Sequence, residues 1–291
     1  MKIGIVTDSS SGILKNEAES LGIYVVPMPF YLDDKQYYED VNMNRDEFYD
    51  KLSKASSVKT STSTFDVVGD VWDKALEKYD HILHIPLTSG MSGTYGSAVL
   101  LADDDKYKGK VTCIDGRGVS VILHYEVLDA LKMVEKGLSP LEIKTKIEGN
   151  RKNQSIYICI DTLDYLVKGG RINKNVAMIG SLLRIKPVMY SDGGNFELSK
   201  KIRLLSHARE TIMASIEETI CEKFDDMDNN KYSIGIAHTN LRDESMVFKG
   251  EMQKQFAGLG REIIVDELSE FIACHIGPGA IGAAIYKNIE I

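Results

Sequence analysis

The chain is short of several things, and each shortage closes off a class of function. It carries four cysteines in 291 residues, namely Cys113, Cys159, Cys221 and Cys274, far apart and mostly inside apolar runs. No zinc or redox spacing occurs among them, so they read as reduced core thiols. Excess basic charge is also lacking. The balance of 35 Lys and Arg against 43 Asp and Glu gives a net charge of -8, and no basic stripe is present to neutralise nucleic-acid phosphates. Long apolar runs are missing too: Ile3 to Val6 is stopped by Thr7-Asp8, too short for a signal peptide or a membrane span. That predicts a cytoplasmic protein. A Gly-x-x-x-x-Gly-Lys-Ser/Thr phosphate loop is absent, which speaks against the chain holding ATP itself. No repeat, coiled coil or low-complexity segment occurs.

What is there is the composition of an ordinary globular protein, 43% hydrophobic and 27% charged, with length enough for two cores. Strand patterns at Lys2 to Val6, Ile82 to Ile85 and Lys110 to Ile114 alternate with helical patterns. The helices are read from Asn44 to about Leu52, through Phe65, Val68, Trp72, Ala75 and Leu76, and from Val119 to Glu135. Ile23 to Tyr31, interrupted by Pro27 and Pro29, reads as one further strand near an edge. Ser139-Pro140-Leu141-Glu142 spells a capping box with proline at the first helical position. Strand and helix alternating in this way predict a three-layer α/β/α domain with a mainly parallel sheet.

The polar stretch Asn150 to Gln154 is read as a boundary, giving domains 1–152 and 153–291. The second half predicts strands at Ser155 to Ile160, Lys186 to Tyr190, Phe196 to Lys200, Tyr232 to Ala237 and Glu262 to Asp266. A short helix at Leu163 to Lys168 closes on Gly169-Gly170, followed by helices at Val176 to Leu183, Ser206 to Phe224 and Glu244 to Phe256. A hairpin turn is read at Ser191 to Asn195. This order predicts an α+β domain with a mixed or antiparallel sheet.

The chemistry concentrates where a buried strand runs into a hydroxyl- and glycine-rich turn, Leu87-Thr88-Ser89-Gly90-Met91-Ser92-Gly93-Thr94, and then into a helix. Unpaired N–H groups and the dipole at a helix start favour a carboxylate or phosphate, while the neutral hydroxyls of Ser89, Ser92 and Thr94 suit an anion beside an apolar tail. Simple helix capping by Ser92 or Thr94 explains the same residues. Thr60-Ser61-Thr62-Ser63-Thr64 is a run of five hydroxyls that also reads as a solvated loop with an N-cap at Thr64. His275 precedes the tight turn Gly277-Pro278-Gly279 and has the chemistry to donate to an anion.

Six blocks in order then carry a resemblance along essentially the full chain. They are Val6-Thr7-Asp8-Ser9-Ser10, Lys59-Thr60-Ser61, Leu87 to Tyr95, Leu163-Asp164-Tyr165-Leu166-Val167-Lys168-Gly169-Gly170-Arg171, Leu183-Arg184-Ile185-Lys186-Pro187 and His275-Ile276-Gly277-Pro278-Gly279. Together they resemble the DegV family, the bacterial fatty-acid-binding proteins. The resemblance implies a two-domain fold with a long acyl chain held between the domains. It implies that Thr60 and Ser92 hold the carboxylate, with Ser61 and Gly93 beside them and His275 close to the head group. It further implies a carrier without turnover of its own, serving phospholipid metabolism by presenting the acid to a separate ATP-dependent kinase that forms an acyl-phosphate. Arg171 matches a docking or head-group arginine, and Arg203 sits in a basic cluster with Lys200-Lys201 suited to an acidic protein partner. No metal or cofactor is implied beyond the fatty acid as ligand. Met178, Ile179, Leu182 and Leu183 are candidate tail contacts. The family's Gln-Pro-Ser after Thr-Ser is replaced here by Thr62-Ser63-Thr64, and its Asp followed by Thr or Ser by Asp115-Gly116-Arg117. The competing class is a serine hydrolase built from Asp8, Ser92 and His275, against which the Gly-x-Ser-x-Gly spacing is absent. A kinase-like relation to dihydroxyacetone kinases rests on fold analogy alone.

Overall fold

A computed structural model describes residues 1–39, 41–172, 185–224 and 231–291. The helix expected at Val176 to Leu183, with the tail contacts Met178, Ile179, Leu182 and Leu183, lies outside the described residues. The chain forms two units, one of Met1–Arg151 with Ser269–Phe271 and Ile289–Ile291, the other of Lys152–Leu268 with Ile272–Asn288.

In the first unit the order is β1 (Ile3–Asp8), α1 (Lys15–Leu21), β2 (Tyr24–Val26), β3 (Pro29–Leu32), β4 (Lys35–Tyr38), α2 (Arg45–Lys54), β5 (Val58–Thr60), α3 (Phe65–Leu76) and β6 (His81–Ile85). It continues with α4 (Thr94–Ala102), β7 (Val111–Cys113), α5 (Val121–Glu135) and α6 (Pro140–Gly149). Strands β2-β1-β6-β7 form an all-parallel sheet. Side-chain alternation divides its two faces. Ile5, Leu83 and Ile85 face a core with α5 and α6 residues such as Leu123, Val127, Ile143 and Ile147. Val6 and Ile82 face Val68, Trp72 and Ala75 of α3 and Ala98 of α4. Helices cover both faces, as expected of a doubly wound layer.

The local signals have their physical partners. Asn44 accepts from Glu47 N at 2.9 Å, and the Ser139–Glu142 capping box is present with Pro140 at its start. The Ile23-to-Tyr31 reading needs correction. Prolines that cannot donate to a ladder split the run, so Tyr24–Val26 ends the parallel sheet while Pro29–Leu32 joins an antiparallel sheet of order β4-β3-β5. Phe65, read as part of an apolar face, is 50% exposed.

In the second unit the order is β8 (Gln154–Cys159), α7 (Asp164–Gly169), β9 (Lys186–Ser191), β10 (Glu197–Ile202), α8 (Leu205–Thr219) with a π-helical turn at Ile220–Phe224, and β11 (Tyr232–His238). Then come α9 (Arg242–Gln255), β12 (Ile264–Glu267), α10 (Glu270–Ile276) and β13 (Ile281–Lys287). The six-stranded sheet runs β10-β9-β8-β13-β11-β12, antiparallel except for the β11–β12 pair. Its core joins Ile212 and Ile216 of α8 and Phe248 and Met252 of α9 to Ile234, Ile236, Ala283 and Ile285 of the strands. The tail after Gly279 is thus a buried interior strand, β13. The four cysteines form no disulfide, and Cys113, Cys159 and Cys274 are buried, but Cys221 is exposed on the π turn, against the core expectation. No helix among the described residues is long and apolar enough to cross a membrane.

Candidate functional site

Two loops of the first unit meet. Thr60 ends β5 opposite Phe30 of β3, and the chain then runs along the proline segment. Ser61 N donates to Pro29 O at 3.3 Å, Ser61 Oγ lies 3.5 Å from Tyr31 Oη, and buried Ser63 donates to Pro27 O at 2.7 Å. A Cβ on Gly93 would lie 3.8 Å from Thr62 Cγ2, so the hydroxyl loop reaches the start of α4. At the Thr62-Ser63-Thr64 departure, Ser63 is the anchor. Thr64 stands at the N-cap position of α3 but makes no side-chain cap bond, so the capping expected of it is absent.

The α4 entry is hydroxyl-rich in structure as in sequence. Ser92 Oγ lies 2.7 Å from Thr94 Oγ1 and accepts from Thr94 N at 3.2 Å. Gly93 holds the N-cap position without a side-chain cap bond, and Ser92, one residue before it, satisfies the Thr94 N–H from outside the helix. Ser97 N, bonded to Gly93 O at 2.9 Å, makes the first backbone bond of the helix, which leaves the Tyr95 and Gly96 N–H groups without intrahelical acceptors. Gly93 has ordinary φ -75, ψ 0, and a Cβ at Gly96 would meet nothing within 4 Å. These glycines supply open space rather than unusual backbone.

Asp8 fixes the floor of this entry. Its carboxylate is fully buried and accepts from Leu87 N at 2.7 Å, from Ser10 N at 2.9 Å and from Ser10 Oγ. Burial pushes its pKa up, with those bonds opposing. Both oxygens are engaged in pinning loops, a structural use that the hydrolase reading would have to break. A separate cavity of about 770 Å³ lies along β2 and is lined by Ile13, Ala18, Val25, Val67 and Val71, without Thr60 or Ser92 among its walls.

In the second unit His275 closes the last turn of α10 rather than standing in a loop. Burial first, then the Arg171 guanidinium, lowers its pKa to about 4. The imidazole is therefore uncharged at neutral pH, offering a hydrogen bond and not a cation. Gly169 makes room for it, since a Cβ there would stand 2.2 Å from His275 Nδ1. Gly277, at φ +77, gives the same room to the Tyr165 ring, 2.4 Å from its would-be Cβ. The two glycine blocks are thus packed against aromatic partners. Arg171 donates through Nη1 to Gly169 O. Arg203 is exposed and lines an open depression with Lys201 and His207.

Gly169→Ala is expected to lower stability by about 1–3 kcal/mol through overpacking of a ring that cannot bend away. Thermal melts should show that loss, and His275→Ala in the same chain should recover most of it. An unchanged melt for Gly169→Ala would refute the contact.

Sequence reasoning missed Thr239, which is fully buried. It donates to Gly277 O at 2.8 Å and accepts from Ala280 N at 2.9 Å. Its only sequence signal is a polar residue at the carboxyl end of a strand, the place where such sheets build loops. No group of metal-ligating side chains occurs among the described residues.

A family model described as "Uncharacterised protein, DegV family" matches residues 2–288. A DegV domain-containing protein of Staphylococcus aureus is 30% identical over 284 residues, 98% of each chain. A solved structure from Thermus thermophilus, described as fatty acid binding of a DegV family protein, matches with a TM-score of 0.87 and 28% identity over 99% of this chain and 100% of that one. A fatty acid binding DegV family protein from Streptococcus agalactiae matches with a TM-score of 0.83 and 27% identity over 99% of each.

Proposed function

The chain belongs to the DegV family, and from that premise we propose that it binds a long-chain fatty acid whose carboxylate is held by Thr60 and Ser92. The observation that carries the reading is the meeting of the hydroxyl loop with the α4 entry, where Thr62 and Gly93 adjoin. The fatty-acid-binding relatives from Thermus thermophilus and Streptococcus agalactiae, similar over nearly the whole chain, support it.

The energetics favour this division of labour. Each buried methylene contributes roughly 0.8 kcal/mol, so a long tail supplies the affinity. Its carboxylate is costly to bury unless hydrogen-bonded, and Ser92, Ser61 and the first N–H groups of α4 supply neutral donors for it. In the second unit His275, uncharged at neutral pH, is proposed as a further ligand contact that offers a neutral hydrogen bond. The chain then acts as a carrier without turnover of its own. A separate kinase brings ATP; a carboxylate oxygen attacks the γ-phosphorus, ADP leaves, and an acyl-phosphate forms. Arg171 and Arg203 are the proposed docking contacts for that kinase.

Native mass spectrometry of the purified protein, followed by organic extraction, tests the proposal. One fatty acid near one per chain is the expected result. A protein that is empty, takes up no added fatty acid and supports no acyl-phosphate formation with a partner kinase overturns it. Release of a chromogenic acyl alcohol that disappears in Ser92→Ala would replace it with the hydrolase reading.

A further inference from the structure

The turn that carries Ser92 is held from behind by one buried carboxylate. Asp115 follows β7 and is 5% exposed. Its Oδ2 accepts from Ser89 Oγ at 2.6 Å, and its Oδ1 accepts from Ser89 N at 3.3 Å and from Arg117 N at 3.2 Å. The Asp115 backbone is gripped in turn by Glu148 of α6 and by Arg151, two residues beyond that helix. Asp115 N donates to Glu148 Oε1 at 3.1 Å, and Arg151 Nε donates to Asp115 O at 2.5 Å. Arg151 also pairs with Glu148 at 2.9 Å and approaches Asp115 Oδ2 at 3.8 Å.

Lys144 extends this grip to the helix itself. It bonds Glu148 at 2.7 Å and Cys113 O at 2.6 Å, and it reaches Tyr95 Oη, next to Thr94, at 3.4 Å. Both ends of the Ser89-to-Tyr95 segment are therefore tied to α6. Gly116, one of the two departures from the family pattern, has its own cause here. A Cβ at Gly116 would lie 2.3 Å from the Glu126 carboxyl carbon, and one at Gly118 would lie 2.6 Å from Glu126 Oε2. Burial first, then Asp115 and Asp129, hold the Glu126 proton on well above the usual carboxylate range. This acid thus adds little negative charge behind a loop meant for an anion.

We infer that Asp115 is a positioning residue for head-group binding: by engaging both Ser89 Oγ and Ser89 N it sets the turn so that Ser92 and the first turn of α4 face the ligand carboxylate. The inference rests on the fatty-acid reading above. The Ser89 proton is spent on Asp115, so Ser89 does not serve the ligand directly even though its motif would suggest it. An asparagine in place of Asp115 loses the charge and, with its amide nitrogen facing Ser89 Oγ, must donate to that hydroxyl instead of accepting from it, which frees the Ser89 proton and weakens the grip on the turn.

The test titrates [1-13C]palmitate and [16-13C]palmitate into wild type, Asp115→Asn, Ser89→Ala, the double variant and Ser92→Ala, reading affinity and 13C shifts. Asp115→Asn and Ser89→Ala should each weaken binding about tenfold, the size of one hydrogen-bond difference, and move the carboxyl resonance but not the methyl one. The double variant should be no weaker than either single one. Unchanged affinity and carboxyl shift in Asp115→Asn, with both altered in Ser92→Ala, would overturn the inference. If Ser92→Ala is also silent, the head-group reading itself falls. Ser89 is exposed, so Ser89→Ala keeps the test decisive even where Asp115→Asn folds poorly.

Discussion

Replacing Thr60 and Ser92 together with alanine is expected to weaken fatty-acid binding by about 100- to 10,000-fold. Hydrogen bonds to a charged group are worth about 1.5–3 kcal/mol each, and two of them account for that range. Thr60 is held in β5 by backbone pairing to Phe30, so truncating its side chain leaves the ladder in place. Ser92 Oγ accepts the Thr94 N–H at the start of α4, and losing one hydrogen bond of this kind costs about 1 kcal/mol. Binding should therefore collapse while the thermal midpoint falls only modestly. Titration calorimetry with palmitate alongside a melt separates the two effects. Full ligand retention in the double variant would sink the head-group assignment.

Local signals were readable in the sequence because they depend on neighbours a few residues away. Asn44 and the Ser139-Pro140-Glu142 box start their helices where the spacing places them, and Gly170 adopts the left-handed C-cap after α7 at φ 69. The parallel layer was equally legible, since Ile82 to Ile85 is buried along its whole length. Reading failed where the partner is distant. The Ile23-to-Tyr31 run gave no sign that its two halves pair with different strands, Val6 to Asp8 for one and Thr60 for the other. The C-terminal apolar tail gave no sign that it pairs on both sides, with β8 and β11.

The site shows the same division. The hydroxyl turn and the glycine blocks are visible as motifs, but the reasons for them are not. Gly169 answers to His275, Gly277 to Tyr165 and Gly116 to Glu126, each a contact between segments that the sequence separates. Glu126 is the clearest case. On a helical pattern a glutamate reads as a solvated charge, yet it is 1% exposed, because α5 packs the carboxyl against a turn that carries no side chain there.

Acid should destabilise the first unit mainly through His84, and His84→Leu should remove the larger part of that sensitivity. His84 lies on β6 with no exposed surface, its ring edge-on to Trp72 at 5.5 Å between centroids. Neither ring nitrogen has a hydrogen-bond partner among the described residues. Burial alone pushes its pKa down to about 3 from 6.5. The unfolded chain thus takes up a proton near pH 6.5 that the folded chain refuses until about pH 3, so stability falls as the pH drops through that window. The slope is about 1.4 kcal/mol per pH unit, or roughly 4–5 kcal/mol over the full range. His81, on the same strand, is also lowered by desolvation and adds a slope of the same sign. Glu126 works the other way, because its folded pKa is raised and it loses stability as pH climbs above the unfolded value. Comparing wild type with His84→Leu removes both backgrounds. Urea unfolding at pH 7 should give His84→Leu equal or greater stability, since the substitution removes two unbonded polar atoms from the core, and its advantage should widen steadily toward pH 4. A difference between the two proteins that stays constant from pH 7 to pH 4 would show that the buried imidazole is not what resists the proton.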